Sequence, residues 1–150
     1  SAFASGEEFL ASLSAGLPAC AIGGRAAELT ALAEYLPWDI TEPPRSVPQL
    51  DAVVHTAGLA DFSGDRNELQ RVNVEGTKNV LTWGSRTDRF ILTSSSSVYP
   101  TTTDGLVKVE SLAGTAKPGT WYGQTKLASE HVAHLVGVTK ALTILRPHAV

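Results

Sequence analysis

Residues 51–100 read DAVVHTAGLADFSGDRNELQRVNVEGTKNVLTWGSRTDRFILTSSSSVYP, and this stretch decides the fold. AVVHT (Ala52 to Thr56) is a continuous apolar run bounded by turn residues, the pattern of a strand buried on both faces. From about Glu68 to Trp83 a helical period takes over, with Leu69, Val72, Val80 and Leu81 as core positions. RFILT (Arg89 to Thr93) is the next buried strand. A strand, a helix of this length and a second strand make a βαβ unit, so the sheet is parallel and the class α/β.

The same alternation continues outward. A connection rich in Ser, Thr, Gly and Lys covers Ser94 to Gly119, longer than a compact domain needs unless it borders a site. A helix over Tyr122 to Val136 and a strand over Ala141 to Leu145 follow. On the other side, Ser5 and Glu8 form a capping box for an opening helix with Phe9, Leu10 and Leu13 on its apolar stripe, stopped by Gly16. ACAI (Ala19 to Ile22) reads as a short buried strand, Arg25 to Tyr35 as a helix, and Trp38-Asp39-Ile40 as a short strand closed by the breaker-rich TEPPRSVP.

With 150 residues and 43% hydrophobic content, the chain can bury one sizeable core. A net charge of −3 with acids and bases interspersed argues against nucleic-acid or anionic-membrane partners. The lone Cys20 forbids an internal disulfide and reads as a buried thiol, as a cytoplasmic protein would carry. No apolar run approaches the ~20 residues that span a bilayer, and no secretory signal opens the chain. His131, His134 and His148 lack a cluster of acidic or thiol ligands, so no metal site is expected. The absence of methionine suggests a piece of a longer protein.

The chemistry concentrates near the long connection. Tyr122 and Lys126 stand four apart in WYGQTKLASEH, which on a helix puts them on one face. A tyrosine ionises near ~10 when free. A neighbouring ammonium favours the phenolate and makes the group a usable acid or base. A serine from SSSS (Ser94 to Ser97) placed opposite can hold a substrate hydroxyl or carbonyl within reach of the phenol.

Four blocks in order, DAVVHTAG (Asp51 to Gly58), NVEGTKNVL (Asn73 to Leu81), FILTSSSSVYP (Phe90 to Pro100) and YGQTK with the later LRPHAV, resemble the extended short-chain dehydrogenase/reductase family of NAD(P)-dependent epimerases, dehydratases and reductases. The resemblance implies a Rossmann-type doubly wound parallel sheet. It implies Ser95 as the serine that bonds the reacting oxygen, Tyr122 as general acid/base, and Lys126 as the lysine that activates the phenol and bonds the nicotinamide ribose. Asn73 matches an asparagine of the active-site polar network, with a helix-positioning role equally open.

For the dinucleotide, the resemblance implies Asp39 and Ile40 at the adenine, and Thr56, Ala57 and Gly58 alongside the cofactor. It adds Thr93, Tyr122 and Lys126, and Pro147 and His148 at the nicotinamide amide. Small side chains at Ala57-Gly58 also let backbone approach a ligand. His55 is expected to be structural.

Two departures qualify the match. The family's first strand and Gly-rich phosphate loop are not recognisable, with Gly6 as a remnant of the loop's last glycine and Gly23-Gly24 too weak to take its role. Missing that strand, ACAI and AVVHT each lose a partner, so an intact domain is expected to need residues before Ser1. Residues 1–150 thus read as a partial NAD(P)-binding domain, with most of the substrate pocket beyond Val150. The end of the ACAI strand carries Arg25 and no acid, which leans the cofactor towards NADP over NAD.

The expected activity is hydride transfer on a sugar nucleotide or a small carbonyl or alcohol; the resemblance also offers a homodimer, since relatives often pair through helices equivalent to Glu68–Trp83 and Tyr122–Val136. The rival is a dinucleotide-binding regulatory protein of the same fold without chemistry; a third possibility is a pure scaffold that binds no dinucleotide.

Overall fold

The computed structural model describes residues 19–21, 33–35, 38–43, 49–62, 64–101, 109–136 and 141–148. They belong to two compact units, Ser1–Asp39 and Ile40–Val150.

In the first unit, β1 (Ala19–Ala21) pairs in parallel with β2 (Ala33–Tyr35), Ala19 opposite Ala33. The expected strand at 19–22 is therefore present. The expected helix over 25–35 is not helical at its end, because residues 33–35 form β2. The strand expected at 38–40 is absent: Trp38 and Asp39 are irregular and Ile40 lies in a turn. Leucine spacing suggested a helix, yet the ladder with β1 sets the conformation of 33–35, a tertiary override of local pattern. Arg25, the opening helix over Ser5 to Ala15 and Gly23-Gly24 lie outside the described residues.

The second unit holds a parallel three-stranded sheet, β3 (Ala52–His55), β4 (Arg89–Thr93) and β5 (Ala141–Leu145), with β4 central. Val53, Phe90 and Leu142 lie in register, as do His55, Leu92 and Ile144. Lateral neighbours share a face, so these six define one side of the sheet. Phe90 and Leu92 on that side are fully buried, whereas Val54 on the other is 61% exposed. Burial of β3 on both faces, expected from its sequence, is not found among the described residues. Helices cover the Phe90 side: His55 bonds Thr77, and the backbone at Gly84 lies against the Phe90 ring.

The chain between β3 and β4 runs through α1 (Arg66–Leu69), a π-helical segment (Gln70–Gly76) and α2 (Thr77–Trp83). Asp65 starts α1 by accepting from the amides of Asn67 and Glu68 at 2.8 and 3.0 Å. Leu69, Val80 and Leu81 are buried as their spacing foretold, while Val72 is only half-buried. After β4 the serine run makes a single 3₁₀ turn (Ser96–Val98). A second such turn (Glu110–Leu112) follows, then α3 (Trp121–Val136), which Thr120 caps by accepting from the Gly123 amide at 3.0 Å. Ser129 joins α3 to the π-segment by donating to the Asn73 carbonyl at 2.6 Å.

Candidate active site

Two contacts seat α3 against the end of β4. The Lys126 ammonium donates to the Thr93 carbonyl at 2.5 Å. One turn earlier, Gly123 lies so close to the serine turn that a Cβ there would stand 2.2 Å from the Ser97 carbonyl oxygen. No side chain fits that gap, so glycine at 123 is what lets the helix approach. Tyr122 precedes Gly123 and shares a face with Lys126; Ser95 lies between Thr93 and Ser97. The helix and the serine loop thus meet around the three residues singled out for chemistry. Gly123→Ala is expected to cost about 1–3 kcal/mol by overpacking, measured as a lowered urea midpoint.

Each of these residues has a defined state. Ser95 is buried, and its hydroxyl oxygen accepts from the Ser97 amide at 3.1 Å. That bond fixes the oxygen and leaves the O–H hydrogen to donate. The neighbouring Ser94 hydroxyl is buried without a partner among the described residues. Lys126 is buried, and desolvation holds its pKa below the ordinary lysine value, with Glu130 opposing. Tyr122 is half-buried and meets the Phe62 ring edge-on, centroids 4.9 Å apart.

The β3 end comes to the same place. A Cβ on Gly58 would lie 3.0 Å from Asn73 Oδ1 and 3.9 Å from Lys126 Nζ. Asn73 accepts from the Leu59 amide at 2.7 Å and donates to the Leu59 carbonyl at 3.0 Å and to Thr125 Oγ1 at 3.1 Å. Both amide hydrogens are thereby given to protein acceptors, which favours the positioning role of Asn73 over direct chemistry. Pro147 and His148 are tied to the serine turn: the Ser96 amide donates to the Pro147 carbonyl at 3.0 Å, and Ser96 Oγ lies 2.8 Å from His148 Nδ1. Thr56 is exposed and Ala57 half-buried. Asp39 is also exposed, while Ile40 packs against the backbone of Gly76, where a Cβ would meet it at 2.8 Å. The Ile40 side chain is a packing group on the π-segment.

Beneath the site lies a buried polar network that sequence reading missed. The Thr77 hydroxyl donates to the Asn73 carbonyl at 2.6 Å, so it accepts from His55 Nε2 at 2.9 Å, which places the ring proton on Nε2. Ser129 and Thr125 extend the network on α3. Their four-residue spacing, continued by buried Ala133, was the available signal.

His55 is expected to be neutral: burial, and secondarily the charge of Lys126, lowers its pKa to about 4. The unfolded chain, titrating near ~6.5, binds this proton first as pH falls. Stability is therefore full above that pH and declines across the window down to about 4. The loss from this residue should reach about 3 kcal/mol. Urea midpoints at several pH values should show the decline, flattened in His55→Gln.

A further cluster lies one turn along the same face of α3. Arg146, just past β5, donates from Nε and Nη2 to the two carboxylate oxygens of Glu130, each at 2.9 Å. A cleft of about 590 Å³ opens beside the serine turn, lined by residues including Ser96, Ser97, Thr120, Arg146 and His148. Ser95, Tyr122 and Lys126 are not in its walls, so the cleft flanks the three residues and does not contain them. No group of three or more His, Cys, Asp or Glu able to hold a metal occurs among the described residues. No described helix is long and apolar enough to cross a membrane.

A model of the NAD dependent epimerase/dehydratase family matches residues 29–150. The chain belongs to that family. The sterol-4-alpha-carboxylate 3-dehydrogenase (decarboxylating) of Bos taurus is 32% identical to it over 106 residues, 67% of this chain and 30% of the relative. MoeE5, solved with UDP-glucose and NAD, superposes with a TM-score of 0.71 at 24% identity, over 93% of this chain and 49% of that one. RMD from Pseudomonas aeruginosa, complexed with NADPH, gives 0.67 at 23% identity, over 95% and 50%. At those identities the two structures establish the Rossmann-type fold. The chain spans about half of each and under a third of the sterol enzyme.

Proposed function

We propose that this family member works as an NAD(P)-dependent oxidoreductase or epimerase in which Tyr122 moves the proton, Ser95 holds the reacting oxygen and Lys126 assists both phenol and cofactor. One observation carries the reading: Lys126 on the Thr93 carbonyl and Gly123 on the Ser97 carbonyl bring the Tyr-x-x-x-Lys helix onto the serine loop. The residues suit a dinucleotide. Gly58, where a Cβ would crowd Asn73 Oδ1 at 3.0 Å, keeps bare backbone at the β3 end beside Asn73 and the Lys126 ammonium, where a ligand can approach it closely. Lys126 spends one N–H on Thr93, leaving two for ribose hydroxyls. Thr56, Ala57, Gly58, Thr93, Pro147 and His148 would line the cofactor, whose nicotinamide, when bound, supplies or accepts the hydride.

The chain's own part is proton handling and orientation. The Ser95 O–H points the substrate oxygen, and the phenol of Tyr122 takes its proton in oxidation or returns one in reduction. The Lys126 charge favours the phenolate, and burial makes that charge easier to lose as pH rises. Activity is therefore expected to fall on the alkaline side below the ordinary lysine range. A pH–rate profile checks this, and Lys126→Met should remove the dependence together with most of the rate. Asn73 acts as a positioning residue, locking Leu59 and α3 to the π-segment.

The substrate is a sugar nucleotide or a small carbonyl or alcohol compound; the UDP-glucose complex of MoeE5 supports the first and the sterol relative the second. Arg25, four residues after β1 in the sequence with no acid between, leans cofactor choice to NADP. A homodimer through the helical stretch 66–83 and α3 belongs to the same reading, supported by Leu135 standing 85% exposed on α3. The deciding experiment titrates NAD(H) and NADP(H) and follows nicotinamide absorbance with UDP-sugar, aldehyde and sterol panels. Dinucleotide binding with turnover of one panel supports the reading; no dinucleotide affinity refutes it.

A further inference from the structure

Beside Tyr122 lies an exposed charge cluster that the proton-transfer site does not use. The Arg66 guanidinium carbon lies 4.3 Å from the centroid of the Trp121 ring, and Lys117 Nζ lies 5.5 Å from the same ring. All three side chains are exposed. Phe62, four residues before Arg66, touches the Tyr122 ring, so Phe62 and Arg66 both lie against the Trp121-Tyr122 pair.

Folding does not explain the two cations. Arg66 is the first residue of α1, and Lys117 comes just before α3, where the helix macrodipole disfavours positive charge. Neither forms an ion pair among the described residues: the ion pairs there are Glu75–Lys78 and Glu130–Arg146. Asp65, next to Arg66, directs Oδ1 at the amides of Asn67 and Glu68. The Arg66 side chain gives no hydrogen bond to a described residue, so its contact with the Trp121 ring leaves its N–H donors uncommitted there. A guanidinium and an ammonium gathered at one exposed indole offer the donors and the charge that grip an oxyanion.

We propose that Arg66, Lys117 and Trp121 form an anion-recognition site beside Tyr122, taking a phosphate or carboxylate carried by the substrate. The site rests on the proposed catalytic role of Tyr122 for its place in the reaction; its ability to bind an anion does not. Arg66 supplies the directional donors, Lys117 the added charge, and Trp121 the platform that fixes their spacing.

The test is nuclear magnetic resonance on the full chain, following the indole N–H of Trp121, assigned with Trp121→Phe. Inorganic pyrophosphate and succinate are titrated separately at low and high salt. The indole signal should shift saturably with at least one anion, and affinity should fall about tenfold or more in Arg66→Gln and in Lys117→Gln. High salt should weaken it in wild type. Saturation by pyrophosphate alone identifies a phosphate site, by succinate alone a carboxylate site, and by both a general oxyanion site. No saturable shift, or unchanged affinity in both variants, overturns the proposal. Both side chains are exposed, so the variants should fold, and an unchanged melting temperature verifies it. A parallel NAD(H) titration separates the two readings. Anion binding without dinucleotide binding sinks the enzyme assignment alone. Dinucleotide turnover without an anion response sinks the recognition site alone.

Discussion

Tyr122→Phe is expected to lower turnover about a thousandfold or more while leaving dinucleotide affinity nearly unchanged. The substitution removes one oxygen from a half-buried ring and keeps its edge-on contact with Phe62. Packing at the N-terminal turn of α3 therefore survives, as do the Lys126–Thr93 bond and the Gly123–Ser97 approach. What disappears is the group that trades a proton with the substrate oxygen, and positioned acid–base catalysis contributes roughly 10²–10⁴-fold. Steady-state kinetics beside a dinucleotide titration make the measurement. Wild-type rates in the variant would remove Tyr122 from the mechanism; lost cofactor binding would show it to be a binding residue instead.

Arg146→Ala is expected to be the most damaging single change to stability, at about 3–5 kcal/mol. Glu130 is buried to 3% exposure, and both of its oxygens are held by Arg146. Removing the guanidinium strands a carboxylate in the core, where desolvation costs far more than at the surface. The melting temperature should fall by roughly 10 °C. Arg146→Ala combined with Glu130→Ala should be less harmful than the single change, because no charge is then left unpaired; equal losses would show that the pair contributes packing alone. Since Glu130 lies one turn beyond Lys126, loss of the partner should also disturb the site, measurable as a shift in the alkaline limb of the rate profile.

How far these residues could be foreseen depends on the range of the interaction. β3, β4, β5 and the two long helical stretches were legible because each is specified by contacts within a few residues: apolar runs between turn signals, or a sustained helical period. The set proposed for proton transfer could be picked out for a related reason. Tyr122 and Lys126 are joined by helix geometry, and Ser95 sits at a fixed place past a strand end. β2 was misread because its partner β1 comes from a separate part of the chain, and three residues of AEY hold no strand signal of their own. The one-sided burial of β3 was equally hidden, since its apolar run carries no mark of which face is covered.

By itself the sequence determined the parallel α/β class, the order of elements from β3 to β5 and the residues proposed for proton transfer, because local propensity and spacing encode them. Only the tertiary structure decided that Gly123 must lack a side chain and that Asn73 spends its amide on Leu59 and Thr125. It alone joined Glu130 to Arg146 and set Arg66 on Trp121. Those outcomes depend on two distant segments arriving within about 3–5 Å of each other, a range over which hydrogen bonds, ion pairs and cation–ring contacts act. No one-dimensional pattern carries that information, since either partner alone looks like an ordinary surface or helix residue.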